Sequence, residues 1–363
     1  MLVFAAVVGG GNVNEPEIFE SIVCPASEAE PRQSEGSVTQ LAGGDLLLAW
    51  TEFYAGAWQD HAPARISGKR SPDLGRSWGE TFVLQDNDAR ENVMSASLLR
   101  LGRGRICLFY LRKNSGTDLQ AYVRHSADDG KTWGDEVRIT DGHGYHVMNN
   151  DRVVKLRSGR LIAPIAWIDD IAKRVGHQAL CYYSDDDGQA WRKGATRLDL
   201  PKRGAMEPGV VELRDGRLLM IIRSQLGRIY RSLSGDEGVT WSPPEPMDMI
   251  APEAPSSVSR LPGGELLLVW NNNVDLDADH SGRRNPLTCA ISRDEGETWE
   301  NFKNLEHDPQ RTFAYTSIAF VGPADGPGLP EPDRAIFTYW SRDDRTRSRW
   351  LKLKSVPLEW FYE

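Results

Sequence analysis

The sequence is poor in the patterns that most readily assign a function. Its four cysteines, Cys24, Cys107, Cys181 and Cys289, lie far apart, and three sit in apolar strand-like runs. Such a distribution fits buried thiols rather than a disulfide framework. Seven histidines occur in 363 residues without an HxH or HExxH spacing, so no zinc site is expected, and no other metal or cofactor is implied. No apolar run approaches the roughly 18 residues that a membrane span requires. Basic residues are outnumbered, giving a net charge of −9, which argues against a general nucleic-acid binder but permits an anionic ligand in a locally basic pocket. The apolar opening, Leu2–Val8, lacks a basic flank and is short for a signal peptide, which tips the expectation toward a cytoplasmic chain over a secreted one. Helical periodicity is nearly absent.

What the sequence does contain is repetition. The pattern Ser-x-Asp-x-Gly-x-(Thr/Ser/Ala)-Trp occurs at 71–78, 126–133, 184–191, 234–241 and 292–299, with starts 55, 58, 50 and 58 residues apart. A period near 50 marks one supersecondary unit repeated along the chain. Each fixed position has a structural task. Glycine supplies the positive φ of a tight turn, Asp and Ser bind nearby backbone N–H groups, and Trp buries a large ring. These turns are therefore expected to be staples without chemistry.

A second feature keeps phase with the first. A Gly turn followed by an apolar run occurs at Gly44–Trp50, Gly104–Tyr110, Gly159–Ile165, Gly216–Ile222 and Gly264–Trp270, each preceded by a short strand-like run. Each unit thus reads as strand, Gly turn, strand, longer loop, strand, Asp-containing turn, strand. Four antiparallel strands per unit, stacked radially so that their faces bury one another, make an all-β six-bladed β-propeller. Five clear units and a degenerate sixth (315–321, 335–340, 350–356) supply the blades, with a lead-in over 1–30. Either the early strand at 18–24 or the aromatic tail Trp360-Phe-Tyr completes the ring. No linker divides the chain, so 1–363 reads as a single domain.

Topology places the short repeated turns on one face and the longer, unrepeated loops on the other, where function concentrates. That second face gathers Arg32, Glu35, Asp60, His61, the run Tyr145-His146-Val-Met-Asn149-Asn150-Asp151-Arg152, Glu207, Arg223, Arg283, Arg284 and Tyr315. Carboxylates, arginines and a tyrosine converging on a central mouth point to a pocket for an anionic or polyhydroxylated ligand, a carbohydrate. The Asn-Asn-Asp-Arg run reads equally well as a ladder fastening neighbouring units, and Glu207 before a proline also fits a turn cap.

These turns and loop residues resemble the sialidase (neuraminidase) superfamily, the Asp-box or BNR-repeat propellers, over about residues 32–340. The resemblance implies an exo-glycosidase that hydrolyses a terminal acidic sugar, a sialic acid or related ulosonic acid, with retention. It implies that Tyr315, in Phe-Ala-Tyr-Thr-Ser, is the nucleophile, Glu207 its base and Asp60 the acid/base. Arg223 and Arg284 would grip a carboxylate, and His146, Asn149, Asp151 and Arg152 would line the pocket. The sequence departs from the family at the first arginine of the expected triad. Counting back from Gly44 places Ser34 or Glu35 there, with Arg32 displaced, and Arg65 or Arg70 could serve only along another backbone path. A carboxylate at that point would repel an acidic sugar. This keeps two alternatives open: a propeller glycosidase or lyase on another sugar, using Glu35, Asp60, Glu207 or His146, and a non-catalytic carbohydrate-binding propeller.

Overall fold

A computed structural model describes residues 17–102, 104–323 and 331–363. The apolar runs after the Gly turns become strands covered on both faces: every residue of Leu46–Phe53, Leu218–Arg223 and Leu266–Asn271 is buried. Near-continuous hydrophobic sequence is what a strand sandwiched between neighbours needs. Such a strand sits second in a four-stranded antiparallel group. The first group is Arg32–Gln40, Leu46–Phe53, Ala64–Ser71 and Phe82–Gln85. The second is Asn92–Gly102, Arg105–Ser115, Asp118–Ser126 and Val137–Arg138. The third comprises Val154–Lys155, Leu161–Ile168, Gln178–Ser184 and Arg192–Lys193. Met206–Glu212, Leu218–Arg223, Arg228–Ser234 and Glu245–Ile250 follow, then Ser257–Arg260, Leu266–Asn271, Leu287–Ser292 and Glu300–Glu306.

The last group is built from both ends of the chain. Arg311–Val321, Arg334–Asp343 and Arg349–Pro357 pair in order, and Phe19–Cys24 adds the fourth strand. The early strand, not the aromatic tail, therefore completes this sheet. The tail forms a short 3-10 helix, Leu358–Phe361, whose Phe361 ring packs edge-on against Phe337 at 6.2 Å. Gly144–Val147, within the loop that the sequence reading leaves unstructured, is a strand. It pairs antiparallel with Leu161–Ile168 and parallel with Asp118–Ser126.

Adjacent groups bury their faces against one another. Leu47, Ala49 and Ile66 of the first group share a cluster with Val93, Leu108 and Tyr110 of the second. Leading strands also meet: Arg32–Gln40 lies against both Asn92–Gly102 and Arg311–Val321. The five repeated turns share one geometry. In each, the Ser hydroxyl donates to the Asp carboxylate at 2.8–2.9 Å and accepts the Gly N–H at 2.8–2.9 Å. All four cysteines are buried and free.

Candidate active site

The site begins with an irregularity repeated in the leading strands. Between Ser34 and Ser37, Met94 and Ser97, Met206 and Gly209, and Ala314 and Ser317, the leading strand takes three steps while its partner takes two. Each extra residue is a β-bulge, which bends the strand and re-aims a side chain. The re-aimed residues are Glu35, Ser95, Glu207 and Tyr315, at φ 56°, 61°, 39° and 62°. A non-glycine residue held there is strained by about 1–3 kcal/mol. All four line one cavity of about 650 Å³. Strain recurring at the wall of a single cavity is the first structural sign of function.

Tyr315 Oη donates to Glu207 Oε1 at 3.3 Å, and Glu207 Oε2 accepts from Arg223 at 2.5 Å. Burial and the nearby Glu207 charge push the Tyr315 phenol up to about 12, against the pull of Arg284 and Arg223. Burial alone would raise the Glu207 carboxyl, but Arg223, Arg284 and Arg152 together bring it below its ordinary value. The pair therefore rests at neutral pH as a protonated phenol facing an ionised carboxylate. Behind them Glu253, with its side chain fully buried, accepts from Arg223 at 3.0 Å, from His280 at 3.1 Å and from Arg203. Arg284 donates to the Glu253 carbonyl at 3.2 Å and lies over the Tyr315 ring. Among the described residues it pairs with no carboxylate, so its guanidinium is available to a ligand.

Arg32 stands on the facing wall. It donates to Glu35 at 3.0 Å and to Asp60 at 2.5 Å, and packs over Phe53 at 4.2 Å. The sequence count from Gly44 placed Arg32 out of position; here its guanidinium lines the cavity with Arg223 and Arg284. The bulge between Ser34 and Ser37 accounts for one residue of that displacement. Arg65 instead pairs with Glu52 at 2.8 Å, and Arg70 donates to the Asp129 carbonyl. The Arg32 charge pulls the Asp60 carboxyl down to about 2, although the Asp60 side chain is itself exposed. Burial dominates at Glu35 and raises its carboxyl despite Arg32.

Of the other residues expected at the pocket, Asn149 lines the cavity, and Arg283 lies on its rim, paired with Asp344. His61, His146, Asn150, Asp151 and Arg152 do not reach the wall. His146 Nδ1 faces the Leu119 carbonyl at 3.2 Å, and burial drops its imidazole to about 4, leaving it neutral. Asn150 donates to the carbonyls of Gly36 and Tyr315, Asp151 accepts from Ser37 and the Ile318 N–H, and Arg152 donates to Ser256 and Ser257. These bonds tie the segment ahead of Val154–Lys155 to the leading strands of the first and last groups and to the start of the fifth. His61 is exposed on the Asp60 loop.

Sequence reasoning missed Glu253, Arg203, Ser95, Trp340 and Arg349. Glu253 carried a signal, an acid bracketed by prolines in Ala251-Pro-Glu-Ala-Pro255, and Arg349 ends the run Arg342-Asp-Asp-Arg-Thr-Arg-Ser-Arg349. Among the described residues, eight arginines line the cavity against four carboxylates, a basic pocket in an acidic chain. No group of three or more His, Cys, Asp or Glu among those residues could hold a metal ion. No helix among them is long and apolar enough to cross a membrane.

Comparison with known proteins gives this arrangement a relative. A sialidase of Micromonospora viridifaciens is 27% identical over 313 residues, covering 75% of this chain and 46% of that protein. The chain spans about half the length of the sialidases it matches. A Dyadobacter fermentans protein of unknown function superposes with a TM-score of 0.74 at 17% identity, over 94% of this chain and 100% of that one. A Trypanosoma rangeli sialidase solved with 2,3-difluorosialic acid as a covalent intermediate gives a TM-score of 0.68 at 15% identity, over 95% and 59% of the two chains. Residues 44–324 match the model of the BNR repeat-like domain. The chain belongs to the BNR repeat-like domain family, within the sialidase superfamily.

Proposed function

We propose that this protein is an exo-glycosidase of the sialidase type, retaining in mechanism, built as one closed six-bladed propeller whose blades are the six antiparallel groups. The observation that carries this reading is the Tyr315–Glu207 pair, 3.3 Å apart, in a cavity that also holds Arg32, Arg223 and Arg284. Tyrosine is a weak nucleophile and needs an adjacent base. A neutral nucleophile also avoids repelling a substrate carboxylate, which explains the departure from the two-carboxylate scheme of most glycosidases.

The carboxylate of a terminal acidic sugar would take N–H donors from Arg284, Arg223 and Arg32. Competition for Arg32 frees Asp60 from its strongest partner, which lets that carboxyl rise from about 2 and carry a proton. Tyr315 Oη then attacks the anomeric carbon as its proton passes to Glu207, and the bond to the leaving oxygen breaks as Asp60 protonates it. In the second step water attacks the anomeric carbon and gives its proton to Asp60. The bond to Tyr315 breaks, and Glu207 returns the proton to the phenol. Acid and base exchange roles and both protons are restored.

The test is release of 4-methylumbelliferone from its sialic acid α-glycoside. Wild-type turnover, reduced at least about 10³-fold in Tyr315→Phe with folding intact, is the expected result. Equal activity in the two proteins would reject the tyrosine mechanism.

A further inference from the structure

The cavity has a wall that the proposed chemistry leaves unused. Beyond Asp60 and Trp340 it is lined by Arg342, Arg347 and Arg349, with Arg283 on the rim. Arg342 donates to Asp344 at 3.2 Å and Arg283 pairs with the same carboxylate, so one acid serves both. Arg347 and Arg349 pair with no carboxylate among the described residues. The Arg349 guanidinium instead lies between two indoles, 5.5 Å from the ring centre of Trp58 and 5.6 Å from that of Trp340. Its Nε is buried with no hydrogen-bond partner, as is that of Arg342. A partly buried guanidinium flanked by aromatic rings, with no carboxylate among the described residues paired to it, is an arrangement suited to a carboxylate or sulfate.

Its location identifies which part of a substrate would reach it. The Trp58 carbonyl accepts from Arg32 at 3.3 Å, and Trp340 stands between Arg349 and the ring of Tyr315, 6.3 Å from the latter. Asp60 feels the Arg349 charge. On the proposed glycosidase reading, on which this inference rests, Asp60 protonates the leaving oxygen, so its side of the cavity receives the leaving group. We infer that Arg349, with Arg347 and Arg342 beside it, forms a subsite for an oxyanion on the leaving sugar, so that the favoured substrate carries two successive acidic units. Burial and the neighbouring Arg32 pull Arg349 down to about 9 against the effect of Asp60, and an incoming anion would relieve both.

The experiment compares three substrates with the same terminal sialic acid: one leaving lactose, one leaving lactose with a sulfate ester on its galactose, and one leaving a second sialic acid. For the wild type, kcat/KM on at least one charged substrate should exceed that on the neutral one by about tenfold at low salt. The advantage should shrink as salt screens the subsite. In Arg349→Gln the ratio should fall to about one, and Arg349→Lys should keep part of it. The sulfate and carboxylate arms identify the anion. A wild-type ratio of one, or a ratio unchanged in Arg349→Gln, overturns the subsite. Calorimetry of the leaving sugars alone separates this inference from the reading beneath it. If no substrate turns over, galactose 6-sulfate binding more tightly than galactose to the wild type, but not to Arg349→Gln, still supports the subsite. Equal binding of both sugars rejects it.

Discussion

The repeated turns and the cavity use the same side chains to opposite ends. In the turn at 234–241, Asp236 accepts from Ser234, from the Thr240 N–H and from the Thr240 hydroxyl, all within the eight residues of the motif. Its positive φ values fall at Glu237 and Gly238, where a tight turn needs them. In the cavity, Glu207 finds Arg223 16 positions away and Tyr315 108 positions away, and its own positive φ serves no turn. One region closes its hydrogen bonds locally and repeats. The other leaves donors and charges open toward a shared space, and the side chains it presents differ from group to group although the bulge beneath them recurs. Polar satisfaction within a few residues is the mark of a staple, and strain with partners from several groups is the mark of a site.

The contrast can be broken from either side. Arg223→Met should have the largest effect, because it strips the charge partner from Glu207 and one partner from Glu253. A loss of about 3–5 kcal/mol is expected for breaking a buried pair, together with loss of kcat/KM beyond about 10³-fold; urea unfolding and initial rates check the two. Glu253→Gln should be next. Burial would raise that carboxyl, but His280, Arg223 and Arg203 hold it at about 2, below the ordinary 4.5. A depressed carboxylate contributes stability that is full above pH 4.5 and is lost as pH falls through about 2. The variant should therefore lose about 3 kcal/mol at neutral pH and show a flatter acid limb between those values, read by thermal melts across pH. Ser234→Ala should be the mildest. It leaves the Gly238 N–H without its acceptor at the far face, for about 1–2 kcal/mol by urea unfolding and no change in kcat/KM.

The same contrast explains what was legible in the sequence. The repeated turns and apolar runs act through neighbours in the chain, so the order of strands within each group follows from spacing alone. Tyr315, Glu207, Asp60, Arg223 and Arg284 were reachable because the alternation of short turns and long loops predicts one functional face. Arg32 was counted out of position in part because a β-bulge between Ser34 and Ser37 adds one residue without a local sequence signal. The Asn150-Asp151-Arg152 run reads from sequence equally well as a fastener and as pocket lining, and spacing alone does not decide between them, since the partners Gly36, Ile318 and Ser256 are distant in sequence; His146 reads only as pocket lining, and its partner Leu119 is also remote. Glu253 and Arg349 escaped for the same reason. Their meaning lies in what the fold places beside them, two arginines and a histidine in one case and two tryptophans in the other.

The most direct test of the central claim is to incubate the protein with 2,3-difluorosialic acid and locate the adduct by peptide mass spectrometry. A glycosyl adduct on the peptide carrying Tyr315, absent from Tyr315→Phe, is the predicted result. An adduct on Glu35 or Glu207 instead, or none in a preparation that turns over a sialoside, would contradict the account.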